Sequence, residues 1–334
     1  QVIWTPESKS TLVRRTHQTV DSADYQDTPG EEVHQTRRRV RYRLDRDELP
    51  YPMLREMKAE GATDYLLVPF RTNKHFEQPW IAFATATAGG FTAPQLALIE
   101  ELCRPLAWKA RLAIAEWSSR SLLEVYLGKR AAERVSSGQF RRGTGTTQRA
   151  VIWFCDLRGF TALGSTMPAI ELVALLDQYF DRVATAVQDN GGEILKLIGD
   201  AVLAIFPCED DDQVACLGAI QATRDALDAI DGWNRELASG PYPAMAIGVG
   251  LHIGEVMYGN IGSRSRLDFT VIGAAVNRAS RLESQCKVRG VSVIASKELA
   301  DAANSGLLRS CGTASLRGFD GEQEIYTLAQ SRTD

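Results

Sequence analysis

The sequence predicts an α+β protein in which a ferredoxin-like βαββαβ domain follows a small α+β domain and connecting helices. Three observations lead to this prediction. The chain has 334 residues, which is enough for two domains that each bury a core. Apolar runs of strand length alternate with helical patterns from about residue 149 onward. Before them, a polar start, two β-rich runs and a long helical stretch indicate a smaller domain and a helical linker.

The composition argues against several classes of protein. Hydrophobic residues make up 44% of the chain and charged residues 24%, as in soluble globular proteins. A net charge of −4 gives no indication of nucleic-acid binding. The sequence has no apolar run near the ~20 residues of a membrane helix, and its first residues lack the basic start and apolar core of a signal peptide.

The cysteines and histidines point away from disulfides and zinc. Six cysteines are scattered without a CxxC pair, so we expect reduced thiols in the core of a cytoplasmic protein. Four histidines without paired spacing do not suggest a zinc site.

Residues 1–116 are predicted to form the small α+β domain. Residues 36–43 (TRRRVRYR) are either an anion-binding stripe or the solvent face of an edge strand, and the second interpretation is favoured. A short helix should end at Gly61. Residues 65–70 and 80–85 are rich in β-formers and predict a hairpin.

A helical linker is predicted over residues 117–148, as part of a helical stretch that begins earlier. Thr92 and Gln95 form a capping-box pattern at its start, and Pro105 should kink the helix or split it in two. Residues 91–135 either pack against the same stretch of a second copy or complete the core of the first domain. Both alternatives remain open at this point.

The second domain is predicted over residues 149–330, and its βαββαβ opening is predicted to form an antiparallel sheet with helices on one face. Its helix at 168–189 is amphipathic, with one apolar face made of Ile170, Val173, Leu176, Tyr179, Phe180 and Val183. The predicted order is strand 150–155, helix 168–189, strand 193–198, strand 201–206, helix 211–238, strand 244–252, strand 255–261, a loop, helix 275–286, strand 291–295, helix 296–303 and two final strands.

Two aspartates stand at the ends of apolar strands. Asp156 follows residues 151–155 (VIWFC), and Asp200 follows residues 194–199 (ILKLIG). A carboxylate beside a core strand is costly unless it is solvated, paired or holding a metal. Two of them suggest a divalent-cation site for a phosphate substrate, with Lys196 as an opposite charge nearby. On spacing alone, two ordinary turn aspartates explain the pattern equally well.

Two later stretches add to this pattern. Residues 250–256 (GLHIGEV) and 259–262 (GNIG) form a strand and turn with regularly spaced glycines. Residues 268–283 (DFTVIGAAVNRASRLE) lead from a strand end into a helix. On that helix Asn277 and Arg281 are four residues apart, so they lie on one face and can converge on one ligand.

Together with residues 154–161 (FCDLRGFT) and 191–206 (GGEILKLIGDAVLAIF), these stretches resemble class III nucleotidyl cyclases. They match the family signatures FxDxxGFT, GGxxxKxxGD, GxHxGxVxxGNxG and TVIGxxVNxASRLE, in order, over about residues 122–328. The resemblance implies conversion of a nucleoside triphosphate to its 3′,5′-cyclic monophosphate and pyrophosphate. It also implies a homodimer with two composite active sites. The N-terminal part resembles a GAF-like sensor module; the alternative is a plain dimerisation domain.

The resemblance also implies a role for each matching residue. Asp156 and Asp200 would hold two Mg²⁺ or Mn²⁺ ions per active site. The second copy would supply Asn277 to the ribose and Arg281 to the phosphate, where the guanidinium fork suits phosphate oxygens. The remaining candidates for substrate binding are Lys196 and Thr270 at the base, the N–H groups of Phe160 and Thr161 at the phosphates, and Arg317 at the terminal phosphates.

The implied substrate is ATP. Lys196 can donate to N1 of adenine and Thr270 can accept from N6, whereas enzymes of the family that use GTP usually carry Glu at the position of Lys196. The chain departs from many relatives at Gly248, where they carry an arginine near the phosphates, and at Arg317, where they often carry a lysine. The alternatives are a guanylate cyclase and a cyclase-like nucleotide-binding module without catalysis.

Overall fold

In a computed structural model, the chain is described over residues 2–5, 8–12, 27–45, 48–70, 79–209, 211–240 and 242–329. Residues 2–5 and 8–12 are described by their backbone alone. The chain divides into two compact units, Gln1–Ser119 and Arg120–Asp334. Among the described residues, no helix has the length and apolar character needed to cross a bilayer.

The first unit contains a short antiparallel ladder and a small antiparallel sheet. The sheet has the order β3-β4-β5, so the predicted hairpin is present and the strand within the basic stretch lies at the sheet edge. The helix α1 was not predicted. The elements are β1 (Val2–Thr5), β2 (Ser8–Leu12), α1 (Pro29–Thr36), β3 (Val40–Arg43), α2 (Pro52–Ala59), β4 (Asp64–Pro69) and β5 (Trp80–Thr85).

A buried ion pair connects this sheet to the segment that follows it. Asp64 is fully buried and accepts from Arg41 Nη2 at 2.6 Å and from the Phe91 N–H at 2.9 Å. Gly90 has a φ of 72°, and a Cβ there would lie 2.5 Å from Asp64 Oδ2. A buried carboxylate needs such partners. Because Gly90 has no Cβ, the backbone comes close enough for the Phe91 N–H to donate to Asp64.

The helical stretch covers nearly the predicted residues, but it is not broken at Pro105. Helix α3 spans Ala93–Leu127, and the predicted capping box is confirmed, with the Thr92 N–H donating to Gln95 Oε1 at 2.9 Å. The prediction that Pro105 could split the helix is wrong. A proline removes one hydrogen bond, and the other turns of a 35-residue helix remain paired. The break comes at Gly128, with a φ of 81°, before α4 (Lys129–Ser136).

The start of α3 belongs to the core of the first unit. Ile99 and Cys103 are buried beside Leu66 and Phe70, so the core alternative holds for these turns. Farther along, the alternative of packing against a second copy of the chain stays open, because α3 exposes several large apolar side chains: Leu106, Trp108, Leu112, Trp117, Leu122, Val125 and Tyr126.

The second unit contains the predicted alternation of strands and helices. After α4 its elements are β6 (Gly145–Leu157), α5 (Phe160–Thr166), α6 (Ala169–Asp189), β7 (Glu193–Ile198), β8 (Ala201–Pro207), α7 (Asp212–Leu237), β9 (Ile247–Gly262), β10 (Leu267–Ile272), α8 (Ala274–Arg289), β11 (Val293–Ser296), α9 (Lys297–Ala303), β12 (Leu308–Ser315) and β13 (Glu322–Leu328).

The sheet has the order β12-β13-β11-β9-β6-β8-β7, with β10 paired to β9. Its part β9-β6-β8-β7 is the ferredoxin-like order, which confirms the predicted fold class. Two predictions are corrected: residues 244–252 and 255–261 contribute to one long strand, β9, and the predicted loop contains β10. The sheet is mixed because β11 runs parallel to β9.

Helices cover both faces of this sheet, although the two helices of the βαββαβ opening, α6 and α7, share one face as predicted. Helices α6, α7 and α9 pack on one face, and α4 and α8 pack on the other. The reason is visible in β6, where consecutive residues such as Val151 and Ile152 are both fully buried. A strand that is apolar on both sides requires a cover on both sides.

The apolar face of α6 is shifted from the predicted one. Ile170 and Val173 are 85% and 55% exposed, because Leu172 and Leu175 are the residues of these turns that pack on the core. Tyr179 and Val183 are fully buried as expected, and Phe180 and Leu176 are partly buried. The buried positions of α6 are Leu175, Tyr179, Val183, Ala186 and Val187.

Candidate active site

Strand pairing brings the two aspartates together. Strands β6 and β8 are antiparallel, with Cys155 opposite Val202, so Asp156 near the end of β6 lies beside the turn that precedes β8. That turn consists of Gly199 and Asp200. Gly199 has a φ of 66°, which the first position of a two-residue hairpin turn requires and glycine adopts without strain.

The electrostatics of this pair fit a cation site. Burial, repulsion by Asp200 and a hydrogen bond with Asp200 raise the pKa of Asp156 to about 6. Two carboxyl groups this close cannot both ionise cheaply without a positive charge between them. A divalent cation could take the place of the shared proton, and carboxylate oxygens are the ligands that Mg²⁺ prefers. The residues present therefore fit the metal that the aspartates suggested.

The pair alone does not complete a metal site. Among the described residues, no group of three or more His, Cys, Asp or Glu side chains is arranged to hold an ion. Mg²⁺ is commonly bound by one or two carboxylates, with water and substrate phosphates completing its octahedron. The two aspartates are thus suited to an ion that arrives together with a phosphorylated substrate.

Glycines on β9 set the position of α8. A Cβ on Gly250 would lie 2.1 Å from the Ala279 carbonyl oxygen, and one on Gly254 would lie 2.9 Å from Ala275 Cβ. Both distances are far below contact, so the helix rests directly on the strand backbone. Asn277 and Arg281 lie on its exposed surface. The regular glycine spacing of the sequence is therefore a packing surface for the helix that carries both of these residues.

A third carboxylate faces the aspartates. Gly248 lies opposite Asp156 on β9, and a Cβ there would lie 2.5 Å from Glu283 Oε1. Glu283 on α8 therefore occupies the space above the glycine. Burial raises the pKa of Glu283 to about 7, repulsion by the two aspartates adds to this, and Arg158 opposes it. Gly248 was noted from the sequence, but the role of Glu283 was not predicted.

The base-binding candidates lie on neighbouring strands. Lys196 is on β7 and Thr270 is on β10, and these two strands contact each other. The ion-pair partner of Lys196 is Asp268, which the sequence analysis did not single out. Its position two residues before Thr270 on a strand was the available signal, since alternate strand residues share a face.

The remaining candidates lie at the start of a helix and in a turn. Phe160 and Thr161 are the first residues of α5, which follows Gly159 at a φ of 79°. The first N–H groups of a helix lack intrahelical acceptors. Arg317 is exposed between β12 and β13, next to Gly318.

Residues 144–330 match the family model described as the adenylate and guanylate cyclase catalytic domain. The chain is 38% identical over 156 residues to an adenylate cyclase of Anabaena cylindrica, covering 46% of the chain and 30% of that protein. It is 33% identical over 199 residues to adenylate cyclase 1 of Rhizobium meliloti, covering 58% and 29%. The matched region thus spans under a third of either relative.

Two solved structures are similar to the chain. The adenylyl cyclase CyaB from P. aeruginosa has a TM-score of 0.52 and 27% identity, covering 57% of this chain and 98% of that one. A bacterial light-regulated adenylyl cyclase has a TM-score of 0.58 and 25% identity, covering 68% and 65%.

Proposed function

The chain belongs to the family of adenylate and guanylate cyclase catalytic domains, and on that premise we propose that it is an adenylate cyclase. The proposed reaction converts ATP to 3′,5′-cyclic AMP and pyrophosphate for intracellular signalling. The observation that carries the proposal is the carboxyl pair of Asp156 and Asp200. The β6–β8 pairing brings the two side chains together, and a hydrogen bond links them.

Asp156 and Asp200 are the residues that would hold two Mg²⁺ or Mn²⁺ ions per active site. When bound, such ions lower the pKa of an attacking hydroxyl, here the ribose 3′-hydroxyl, and offset the charge of the phosphate oxygens. The attack on the α-phosphorus needs no protein nucleophile, because positioning and charge stabilisation account for most of the catalysis in phosphoryl transfer.

Side chains on α8 would position the substrate. Asn277 can hydrogen-bond the ribose, and Arg281 can donate to the phosphate oxygens whose charge grows in the transition state. Both side chains are exposed on one side of α8, and the close packing of α8 on Gly250 fixes the position of the helix. This arrangement supports these roles. Arg317 and the N–H groups at the start of α5, from Phe160 and Thr161, are the further candidates for phosphate binding.

We place the two halves of each site on different copies of the chain. One copy would supply the aspartates, and the other would supply Lys196, Thr270, Asn277 and Arg281. Exposed apolar side chains near the base-binding strands support an interface between copies, since such residues are normally covered in an assembly. These side chains are Leu197 and Ile198 on β7, and the directly paired Met257 and Ile272 of β9 and β10.

ATP is the proposed substrate because Lys196 is a donor without acceptor capacity. It matches the acceptor N1 of adenine and opposes the N1–H of guanine. The proposed location is the cytoplasm, which is supported by the six free cysteines. A GAF-like regulatory role of residues 1–116 and a linker role of residues 117–148 stay predictions.

The first experiment is turnover of ATP and of GTP by the purified chain with Mn²⁺. Cyclic AMP from ATP supports the proposal; cyclic GMP alone would identify a guanylate cyclase, and no product from either would leave a nucleotide-binding module without catalysis. Asp156→Asn and Asp200→Asn should each abolish turnover. Asp228→Asn, the same change at an exposed position of α7, is the matched control and should keep it.

A mixing experiment tests the shared sites. Asp200→Ala and Arg281→Ala are each expected to be inactive alone. In a heterodimer of the two variants, one site keeps all its residues, so activity should return to a fraction of the unmutated level. A demonstrably formed heterodimer that stays inactive would contradict the composite site.

A further inference from the structure

The ion pair between Lys196 and Asp268 links β7 to β10 within one chain. Lys196 Nζ donates to Asp268 Oδ2, and the two side chains remain 40% and 48% exposed. Exposed ion pairs contribute little to stability, because water already solvates both charges well. The pair is also open enough to touch a ligand. Its placement beside Thr270 therefore calls for an explanation other than stability.

Asp268 and Thr270 face the same way. Phe269 between them is buried and packs edge-on against Tyr258, with the ring centroids 4.8 Å apart. Since successive strand residues point to opposite faces, Asp268 and Thr270 point away from that buried contact. Both are only partly buried. Lys196, Asp268 and Thr270 thus form one polar group on the β7–β10 surface.

The chemistry of this group depends on Asp268. A threonine hydroxyl both donates and accepts hydrogen bonds, so Thr270 cannot by itself tell an amino group from a carbonyl group. A carboxylate only accepts, and a lysine ammonium only donates. Asp268 Oδ2 accepts from Lys196, and its second oxygen has lone pairs for another donor. The ion pair therefore presents an oriented donor next to an acceptor.

We propose that Asp268 is a specificity-determining residue, which selects adenine by accepting from its 6-amino group and by orienting Lys196 toward N1. Guanine presents a carbonyl oxygen at position 6 and an N–H at position 1. It would therefore place an acceptor against Asp268 and a donor against Lys196. This inference rests on the proposed function, and it assigns base discrimination to a carboxylate at position 268, two residues before Thr270.

The test is the ratio of kcat/KM for ATP to kcat/KM for GTP in Asp268→Asn. An amide side chain keeps the shape but can turn its donor toward the guanine carbonyl, so the ratio should fall roughly tenfold or more. Asp268→Glu keeps the acceptor and should retain part of the selectivity. Asp301→Asn is the matched control, since Asp301 forms an exposed pair with Lys297 at 3.5 Å on α9, and it should change the ratio less than twofold.

A substrate analogue separates direct reading of the base from a general loss of activity. Purine riboside triphosphate lacks the 6-amino group. The unmutated chain should prefer ATP over this analogue, and Asp268→Asn should lose much of that preference. If Asp268→Asn keeps both ratios within twofold of the unmutated chain, Asp268 is a surface ion-pair partner and the inference is wrong.

The outcome remains decisive even if the chain turns over neither nucleotide. In that case the proposed function fails, and competition between ATP and GTP for binding of a fluorescent nucleotide measures base selectivity without catalysis. A preference for ATP that Asp268→Asn abolishes would support the role of Asp268. Equal binding of both nucleotides by the unmutated chain would overturn it.

Discussion

Replacing Asp200 by asparagine should make the metal-free protein more stable at neutral pH while it abolishes turnover. In the folded chain the pKa of Asp156 is raised by burial and by Asp200. A carboxyl group whose pKa is raised on folding stabilises the protein below its unfolded pKa and loses that contribution as the pH rises through the folded value. The metal-free chain should therefore lose stability between about pH 4 and pH 6, and Asp200→Asn should reduce this loss.

The magnitude follows from the pKa. A rise from 3.8 to about 6 corresponds to at most roughly 3 kcal/mol for ionisation of Asp156 in the folded chain, at about 1.4 kcal/mol per pH unit, and solvent screening lowers this value because the side chain is only half-buried. Burial is the largest cause and remains in the variant, so the part that Asp200→Asn removes is about 1 kcal/mol. For a unit of this size, that corresponds to an increase in Tm of about 2–4 °C.

The assay is thermal unfolding in chelator at neutral pH and near pH 4, followed by the same scan with Mn²⁺. Asp200→Asn should exceed the unmutated chain in Tm at neutral pH and match it near pH 4. Mn²⁺ should stabilise the unmutated chain, because binding to the folded state alone shifts the equilibrium, and should have little effect on the variant. An unchanged or lower Tm of Asp200→Asn at neutral pH, with Asp228→Asn unaffected, would refute the carboxyl-pair reasoning.

Three further predictions concern α8 and the strand beneath it. Gly250→Ala should lower both Tm and turnover, because its Cβ would meet the Ala279 carbonyl oxygen at 2.1 Å. Gly306 has open space around it, so Gly306→Ala should leave both quantities unchanged. Equal effects of the two substitutions would contradict the close packing of α8 on Gly250. Burial raises the pKa of Glu283 from 4.5 to about 7, so the stability that it confers when protonated is present below about pH 4.5 and is lost as the pH rises to 7. Glu283→Gln should therefore be more stable than the unmutated chain near pH 8 and equal to it near pH 4, and a difference in stability that does not change with pH would contradict the raised pKa of Glu283. Arg281→Lys should lower kcat at least about tenfold with a smaller change in KM, since lysine lacks the bidentate contact to phosphate. Steady-state kinetics that show a change in KM alone would mean that Arg281 does not stabilise the transition state.

The exposed pair at the base-binding surface shows why part of the site escaped the sequence analysis. Lys196 and Asp268 are 72 residues apart, and strand pairing through β9 and β10 decides that they meet. Glu283 escaped for a similar reason. Its carboxylate reaches the aspartates because α8 packs against Gly248 on β9, and spacing along the chain carries no information on that contact.

Local features were predictable because they depend on neighbouring residues. The capping box at Thr92, the short turn at Gly199 and the alternation of strands and helices from residue 149 follow from hydrogen bonding and periodicity within a few residues. The ferredoxin-like order β9-β6-β8-β7 also followed from the order of the elements.

The sequence by itself determined the ferredoxin-like fold, the family, and the strand ends at which Asp156 and Asp200 stand. The tertiary structure decided that α3 continues through Pro105, that helices cover both faces of the sheet, and that the two carboxyl groups share one site. The physical reason is the same in each case. Propensity and periodicity act over one or two turns. Whether a helix tolerates a proline, which elements pack on a strand and how far the pKa of a carboxyl group shifts all depend on contacts with distant parts of the chain.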